Sequence, residues 1–336
     1  MTKKKVRRRI WCLVVLFVLT ILISLSLGRY WIHPVTIVKV VLSKILPIPV
    51  TWETQVETVL FQVRFPRILL GILVGSGLSL AGATYQGIFQ NPMVSPDILG
   101  ASWGAGFGAA LGLFASFSYV GVSLSAFAFG LLAVFIVCVI GRFVKNNPTL
   151  GFILAGIMVG TIFSSGVSYL KLVADPLNTL PAITYWLMGS LASAKGVDVG
   201  FAGPLIVAGM IPIILLRWKI NVLTMGEEEA RTMGVNSQKL RWILIVCATL
   251  ITAAAVSVSG MIGWVGLVIP HFTRMLVGND YRRVVPVSIL LGGAYLVLVD
   301  DFARMLTTSE IPLGILTAFV GAPFFLYLIM REGKKI

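Results

Sequence analysis

The chain has 336 residues, 57% of them hydrophobic and only 12% charged, with a mean hydropathy of +0.96. Soluble globular domains carry about 25% charged residues, so the composition excludes a water-soluble domain and makes the bilayer the solvent. The formal net charge of +14 does not by itself imply nucleic acid, because Lys and Arg collect in short cytoplasmic loops of membrane proteins and set their orientation.

Lys3 to Arg9 followed by apolar Ile10 to Leu27 imitates a signal peptide. The apolar run is long, lacks a clear small-x-small cleavage site and precedes many further spans, so it reads as an uncleaved first helix. Apolar stretches then recur, giving expected spans at 10–28, 65–88, 97–114, 120–141, 149–171, 198–216, 240–259, 262–277, 284–302 and 313–330. Each spanning helix needs about 20 apolar residues, so these spans fit only with short loops. The expectation is an all-α membrane protein of about ten transmembrane helices. One transmembrane domain covers 10–331, between a basic cytoplasmic tail at 1–9 and a C-terminal tail at 332–336, with the longest cytoplasmic loop at 217–241. Around Pro92 to Pro96 and Ser259 to Gly263 the chain turns within or near the membrane, where its backbone must be buried in protein.

An even number of spans returns both basic termini, including Arg331, Lys334 and Lys335, to the cytoplasm. Lys145, Arg142, Arg217, Lys219, Arg231, Lys239, Arg241, Arg274, Arg282 and Arg283 join them, leaving a minority of the 27 basic residues outside. The net charge is therefore topology. Glycines at helical spacing (Gly71 and Gly75; Gly100, Gly104, Gly108 and Gly112; Gly156 and Gly160) point to close helix packing or to a glycine-lined conduit. Cys12, Cys138 and Cys247 lie in apolar runs without ligand spacing and read as buried small hydrophobes.

No GxxxxGK[ST], HExxH or GxSxG string occurs, and there are only two histidines. Membrane catalysts show clustered acids or histidines at membrane depth, whereas Asp97, Asp300, Asp301 and Glu310 fall near span ends, so the chain is not read as an enzyme. An ion-coupled carrier, the alternative from another class, requires paired ionisable residues at mid-span, which are hard to find here.

Longer strings carry a family likeness. They are Arg64-Phe-Pro-Arg67, Ala81-Gly-Ala-Thr-Tyr-Gln86-Gly-Ile-Phe-Gln-Asn91-Pro-Met-Val-Ser-Pro96-Asp-Ile-Leu-Gly100, and Trp186-Leu-Met-Gly-Ser-Leu191. The C-terminal half adds Gly260-Met-Ile-Gly-Trp-Val-Gly266-Leu-Val-Ile-Pro270-His271-Phe-Thr-Arg274, Gly278-Asn-Asp280-Tyr-Arg282, Asp300-Asp-Phe-Ala-Arg304 and Glu310-Ile-Pro312-Leu-Gly314. In this order they resemble the FecCD family of ABC permeases over nearly the whole chain beyond the first helix. The resemblance implies a type II importer fold like that of the vitamin B12 importer, in the bacterial or archaeal cytoplasmic membrane. It implies a second permease, either a second copy or a paralogue, and two cytoplasmic ATPases holding ATP and Mg²⁺. It also implies an extracytoplasmic substrate-binding protein, with no cofactor or metal on this chain and no nucleic acid partner. The implied cargo is an iron(III)-siderophore or related metal chelate, with haem or cobalamin as alternatives.

Four residue groups carry expectations. Arg64, Arg67 and Arg304 fall together on the outer face, against the positive-inside bias. They are either interfacial helix-end charges or a clamp for carboxylates of an incoming protein, which suits the planar fork of Arg; in the family, matching arginines receive acidic residues of the binding protein. An additional Asp301 beside Arg304 departs from the family pattern and is positioned to pair with it. In the loop 217–241, Glu229, Ala230 and Gly234 form either a solvated connector or, as the resemblance implies, a helix, Gly turn and helix seated in the ATPase. Gln86, Asn91, Pro92, Pro96 and Gly100 either satisfy a broken backbone or line a path or gate. His271, Arg274, Asp280 and Arg282 are expected to form an inner-face polar network, and His271 has no second residue spaced for a shared metal.

Overall fold

The computed structural model describes residues 3–144 and 148–332; Lys145, Lys334, Lys335 and the rest of the 332–336 tail beyond Glu332 lie outside them. Among the described residues every regular element is helical: α1 (Lys3–Ser26), α2 (Pro34–Ser43), α3 (Thr54–Thr58), α4 (Phe65–Ile88), α5 (Ala101–Phe114), α6 (Tyr119–Gly141), α7 (Pro148–Val173), α8 (Thr179–Met188), α9 (Gly196–Met225), α10 (Glu227–Thr232), α11 (Ser237–Ser259), α12 (Val265–Val277), α13 (Tyr281–Met305) and α14 (Leu313–Glu332). Seven continuous helical segments are long and apolar enough to cross a membrane, with α5, α12 and α14 as shorter apolar helices. Together these match the expected spans in order.

Three local features differ from the expectation. Helix α1 begins at Lys3, so the basic residues before Ile10 are its first turns rather than a tail; Lys and Arg are good helix formers and nothing there breaks the helix. Helix α2 lies in what reads as a loop. Helix α8, ten residues long, is too short to span and ends inside the bundle at Gly189. There the Ser190 amide donates to the Ser259 carbonyl at 2.8 Å, and the Leu313 amide donates to the Gly189 carbonyl at 2.8 Å. These bonds satisfy broken backbone at the junction of α8, α11 and α14, as burial away from water requires.

Helix α4 is the axis of the bundle, buried along almost its whole length and packed against α13, α11, α9 and α12. It continues from α3 through a wider π-helical turn, Val59–Arg64. Pro66 explains that turn: it has no N–H for the Gln62 carbonyl and its ring would crowd that carbonyl, and a looser turn, in which the Phe65 amide reaches back to the Leu60 carbonyl, relieves both. The glycine rows sit at helix crossings rather than along a conduit. Gly104 and Gly108 meet the α6 backbone, and Gly156 meets that of Ile98. The closest approach is α4 on α12, where a Cβ on Gly82 would lie 1.8 Å from the Gly266 carbonyl oxygen. Of the cysteines, Cys138 and Cys247 are partly buried, but Cys12 is exposed, because α1 is peripheral and turns much of its apolar surface outward.

Candidate functional site

The polar side chains gather at the two ends of the bundle. At one, here the arginine end, the C-terminus of α1, the entry to α4 and the C-terminus of α13 meet. Arg64, Arg67 and Arg304 do come together there, as expected, but buried: they are 3%, 6% and 7% exposed. Arg67 holds Asp300 in a two-pronged pair, Nε to Oδ2 and Nη2 to Oδ1, each at 2.8 Å. It holds Glu310 in a second, at 3.0 and 2.8 Å. Arg64 donates to the carbonyls of Leu25, Ser26 and Tyr30, closing the end of α1. Arg304 donates to the Ser24 carbonyl and hydroxyl, both at 2.9 Å, and to Asp301. The additional Asp301 thus pairs with Arg304, and it accepts from the Ser24 hydroxyl at 2.7 Å.

The structure therefore corrects the picture of three open surface guanidiniums. A buried Arg is tolerated when most of its donors are satisfied, and this chain supplies Asp300, Asp301, Glu310 and the α1 carbonyls to do so, leaving Arg304 Nε and Asp301 Oδ2 without a hydrogen bond. Glu310, in the loop between α13 and α14, is the outermost member, with its side chain 26% exposed. Burial alone would raise its pKa, but the hydrogen bond and charge of Arg67, with help from Arg29 and Arg304, hold it below the usual glutamate range.

At the opposite end, here the α10 end, the chain leaves α9 at Gly226 and forms one short helix. Gly234 has φ +73°, the left-handed conformation that glycine adopts without penalty. Its amide donates to Arg231 and that of Val235 to Ala230, each at 2.9 Å, the paired bonds of a Schellman stop. Ala230 and Val235 are buried beneath it, while Glu229 is exposed. Asn236 then caps α11 by accepting from the Lys239 amide at 2.9 Å. The expected helix, Gly turn and helix is present, built by local chemistry.

The same end brings together residues from two separate expectations. Gln86, Asn91 and Pro92 line one cavity of about 580 Å³ with His271 and Arg274. Gln90, Thr224, Asn279 and Tyr281 also line it and were not legible beforehand; Gln90 lies just beyond the end of α4, with φ +48°. Gln86 donates to the Val94 carbonyl at 3.1 Å, and the Asn91 side chain accepts from the Met93 amide at 2.9 Å, so both also satisfy broken backbone. Pro96 and Gly100 stay apart from the cavity: Pro96 packs on Gly266, and Gly100 on Gly156 and Gly160. Asp280 and Arg282 are likewise not among the residues that line this cavity with His271 and Arg274. Asp280 caps α13, accepting from the Arg282 amide at 3.0 Å and the Asn221 side chain at 2.9 Å, and the Arg282 side chain is exposed. A further cavity beside α10, about 740 Å³, holds Arg142, Arg231 and Arg241, with Arg142 lying 4.8 Å above the Trp242 ring.

Comparison with known proteins adds four findings. The model of the FecCD transport family matches residues 16–331. The molybdate import system permease protein MolB of Haemophilus influenzae is 39% identical over 327 residues, 96% of each chain. The cobalamin import system permease protein BtuC of Halobacterium salinarum is 43% identical over 291 residues, 86% of this chain and 77% of that one. Among solved structures, a transporter assigned to the metal-chelate type of ABC transporters, in an inward-facing conformation, superposes with TM-score 0.85 at 38% identity, covering 96% of this chain and 98% of the other.

Proposed function

The chain belongs to the FecCD transport family, as a multi-pass permease subunit of an ABC importer and not itself an enzyme, and on that premise we propose that its cargo is a metal chelate. The observation that carries the reading is the whole-chain likeness to the solved metal-chelate type transporter. An iron(III)-siderophore is the leading member of the class; cobalamin, itself a cobalt chelate, is the second reading, favoured by the BtuC relative. In this reading two permeases enclose the path. Two ATPases on the cytoplasmic side hold ATP and Mg²⁺, and a binding protein delivers cargo outside. This chain holds no cofactor of its own.

Orientation follows the basic residues: the start of α1, α10 and the cavity around Arg274 face the cytoplasm, and the arginine end faces out. Glu229, Ala230 and Gly234 seat α10 in the ATPase, and tilting of this rigid helix pair transmits nucleotide-driven closure. The binding protein docks at the arginine end. Arg67 already grips Glu310 on its outer side, so an incoming carboxylate takes the place of Glu310, while Arg64 and Arg304 hold the floor beneath.

The test is purification from native membranes in mild detergent. The chain should bring an ATPase with it, and hydrolysis should rise when the binding protein is loaded with iron(III)-siderophore. Stimulation by cobalamin alone would transfer the cargo to the second reading. No co-purifying ATPase and no stimulation by any chelate would remove the proposal.

A further inference from the structure

The cavity at the α10 end is unlike the arginine end in one respect. Arg274 lines it, and no Asp or Glu is among its lining residues. The nearest carboxylate in sequence, Asp280, is spent on capping α13 and holding Asn221. Arg274 shares the cavity wall with Tyr281, a neutral neighbour, and its Nη2 is buried without any hydrogen-bond partner. Gln86, which lines the same cavity, uses its amide NH₂ on backbone carbonyls and leaves Oε1 buried and unpartnered.

A buried donor and a buried acceptor left unmade each carry a desolvation cost. A modest rotation of either side chain toward the cavity that both already line would relieve it, provided something there offers the matching group. Arg274 calls for an anion and Gln86 Oε1 for a hydrogen-bond donor. About 580 Å³ lies within the range of about 300–1,000 Å³ usual for small-molecule sites and exceeds what a single bound ion needs. Asn91 and Gln90, on the same wall, add neutral polar contacts that fix orientation without charge.

We infer that this cavity binds a small organic anion bearing at least one hydroxyl, with Arg274 on the carboxylate and Gln86 accepting from the hydroxyl. The inference deepens the metal-chelate reading, on which its link to cargo rests: the site would receive the anionic, oxygen-rich face of a chelate at the inner end of the path. The binding itself stands on Arg274 and Gln86 and does not need that link.

The experiment is isothermal titration of the purified complex in phosphatidylcholine nanodiscs with three probes: citrate, tricarballylate, which is citrate without its hydroxyl, and glycerol. Citrate should bind, tricarballylate more weakly and glycerol not measurably. Arg274→Gln should weaken citrate by about tenfold or more, the loss of one charge-assisted hydrogen bond. Arg274→Lys should recover part of that, and Arg142→Gln, in the other cavity, should leave it unchanged. Thermal melting of each variant shows whether it is folded. Equal citrate binding in wild type and a folded Arg274→Gln, or none in wild type, would overturn the site and leave a water-filled cavity. Loss of citrate binding on adding phosphatidylglycerol would assign the anion to a lipid headgroup and overturn the small-molecule claim. Neither result depends on ATPase stimulation by a loaded binding protein, so failure here and failure of the cargo reading remain distinguishable.

Discussion

The two ends of the bundle handle their arginines in opposite ways. At the arginine end, Arg67 and Arg304 are matched by Asp300, Glu310 and Asp301, and Arg64 by backbone carbonyls. At the α10 end, Arg274 faces a cavity without a carboxylate. A charge held by carboxylates fixes elements in register, even where Arg304 Nε and Asp301 Oδ2 keep no hydrogen bond. One that faces a cavity with no carboxylate is open to an anion. The first end is therefore built for structure with one exchangeable edge at Glu310, and the second is built to receive.

The largest test of that contrast is Arg67→Met. It strands Asp300 and Glu310, and removing one partner of a buried pair costs about 3–5 kcal/mol, so the variant should melt far below wild type in detergent. A wild-type melting temperature would show that the pairs hold nothing together.

Glu310→Gln comes next. It keeps the shape but removes one charge from Arg67, with an expected loss of about 1–2 kcal/mol together with tighter docking of the binding protein in a pull-down. The pH dependence has a definite sign. Because the folded-state pKa of Glu310 is depressed, its contribution is present above the ordinary glutamate range and is lost as pH falls through the depressed value. Glu310→Gln should therefore flatten the acid limb of a stability-against-pH profile. An unchanged limb would place the acid sensitivity elsewhere.

Gly234→Ala has a more local effect, a cost of about 1–2 kcal/mol for a Cβ in the left-handed region that is confined to the stop of α10. Global melting should hardly move, while ATPase-coupled uptake falls; intact coupling would separate α10 from transmission. Arg274→Gln has the smallest expected effect on stability, within about 0.5 kcal/mol of wild type, since it removes a donor that was never fully paired. A large destabilisation would erase the contrast between the ends.

The order of spans was legible because apolar runs of bilayer length leave few alternatives. The helix, Gly turn and helix at 227–237 was legible for a local reason: Gly234 and Asn236 are chemically committed to a stop and a cap. Helix α8 was hidden, because ten apolar residues in a loop carry no length signal. What holds it is long-range, the bonds from Ser190 to Ser259 and from Leu313 to Gly189. The three arginines were legible as a cluster but not as buried, because their burial depends on partners on other helices, as in Arg67 with Asp300, Arg304 with Ser24 and Arg64 with the end of α1. The meeting of Gln86 and Asn91 with His271 and Arg274 is likewise tertiary, set by α12 lying against α4 at Gly82 and Gly266.

The most direct test of the permease reading is uptake into proteoliposomes holding this chain with its partner permease and ATPase. With a loaded binding protein outside and ATP inside, labelled iron(III)-siderophore should accumulate, and omission of either ATP or the binding protein should abolish it. Accumulation driven by an ion gradient, without ATP and without the ATPase, would contradict the account.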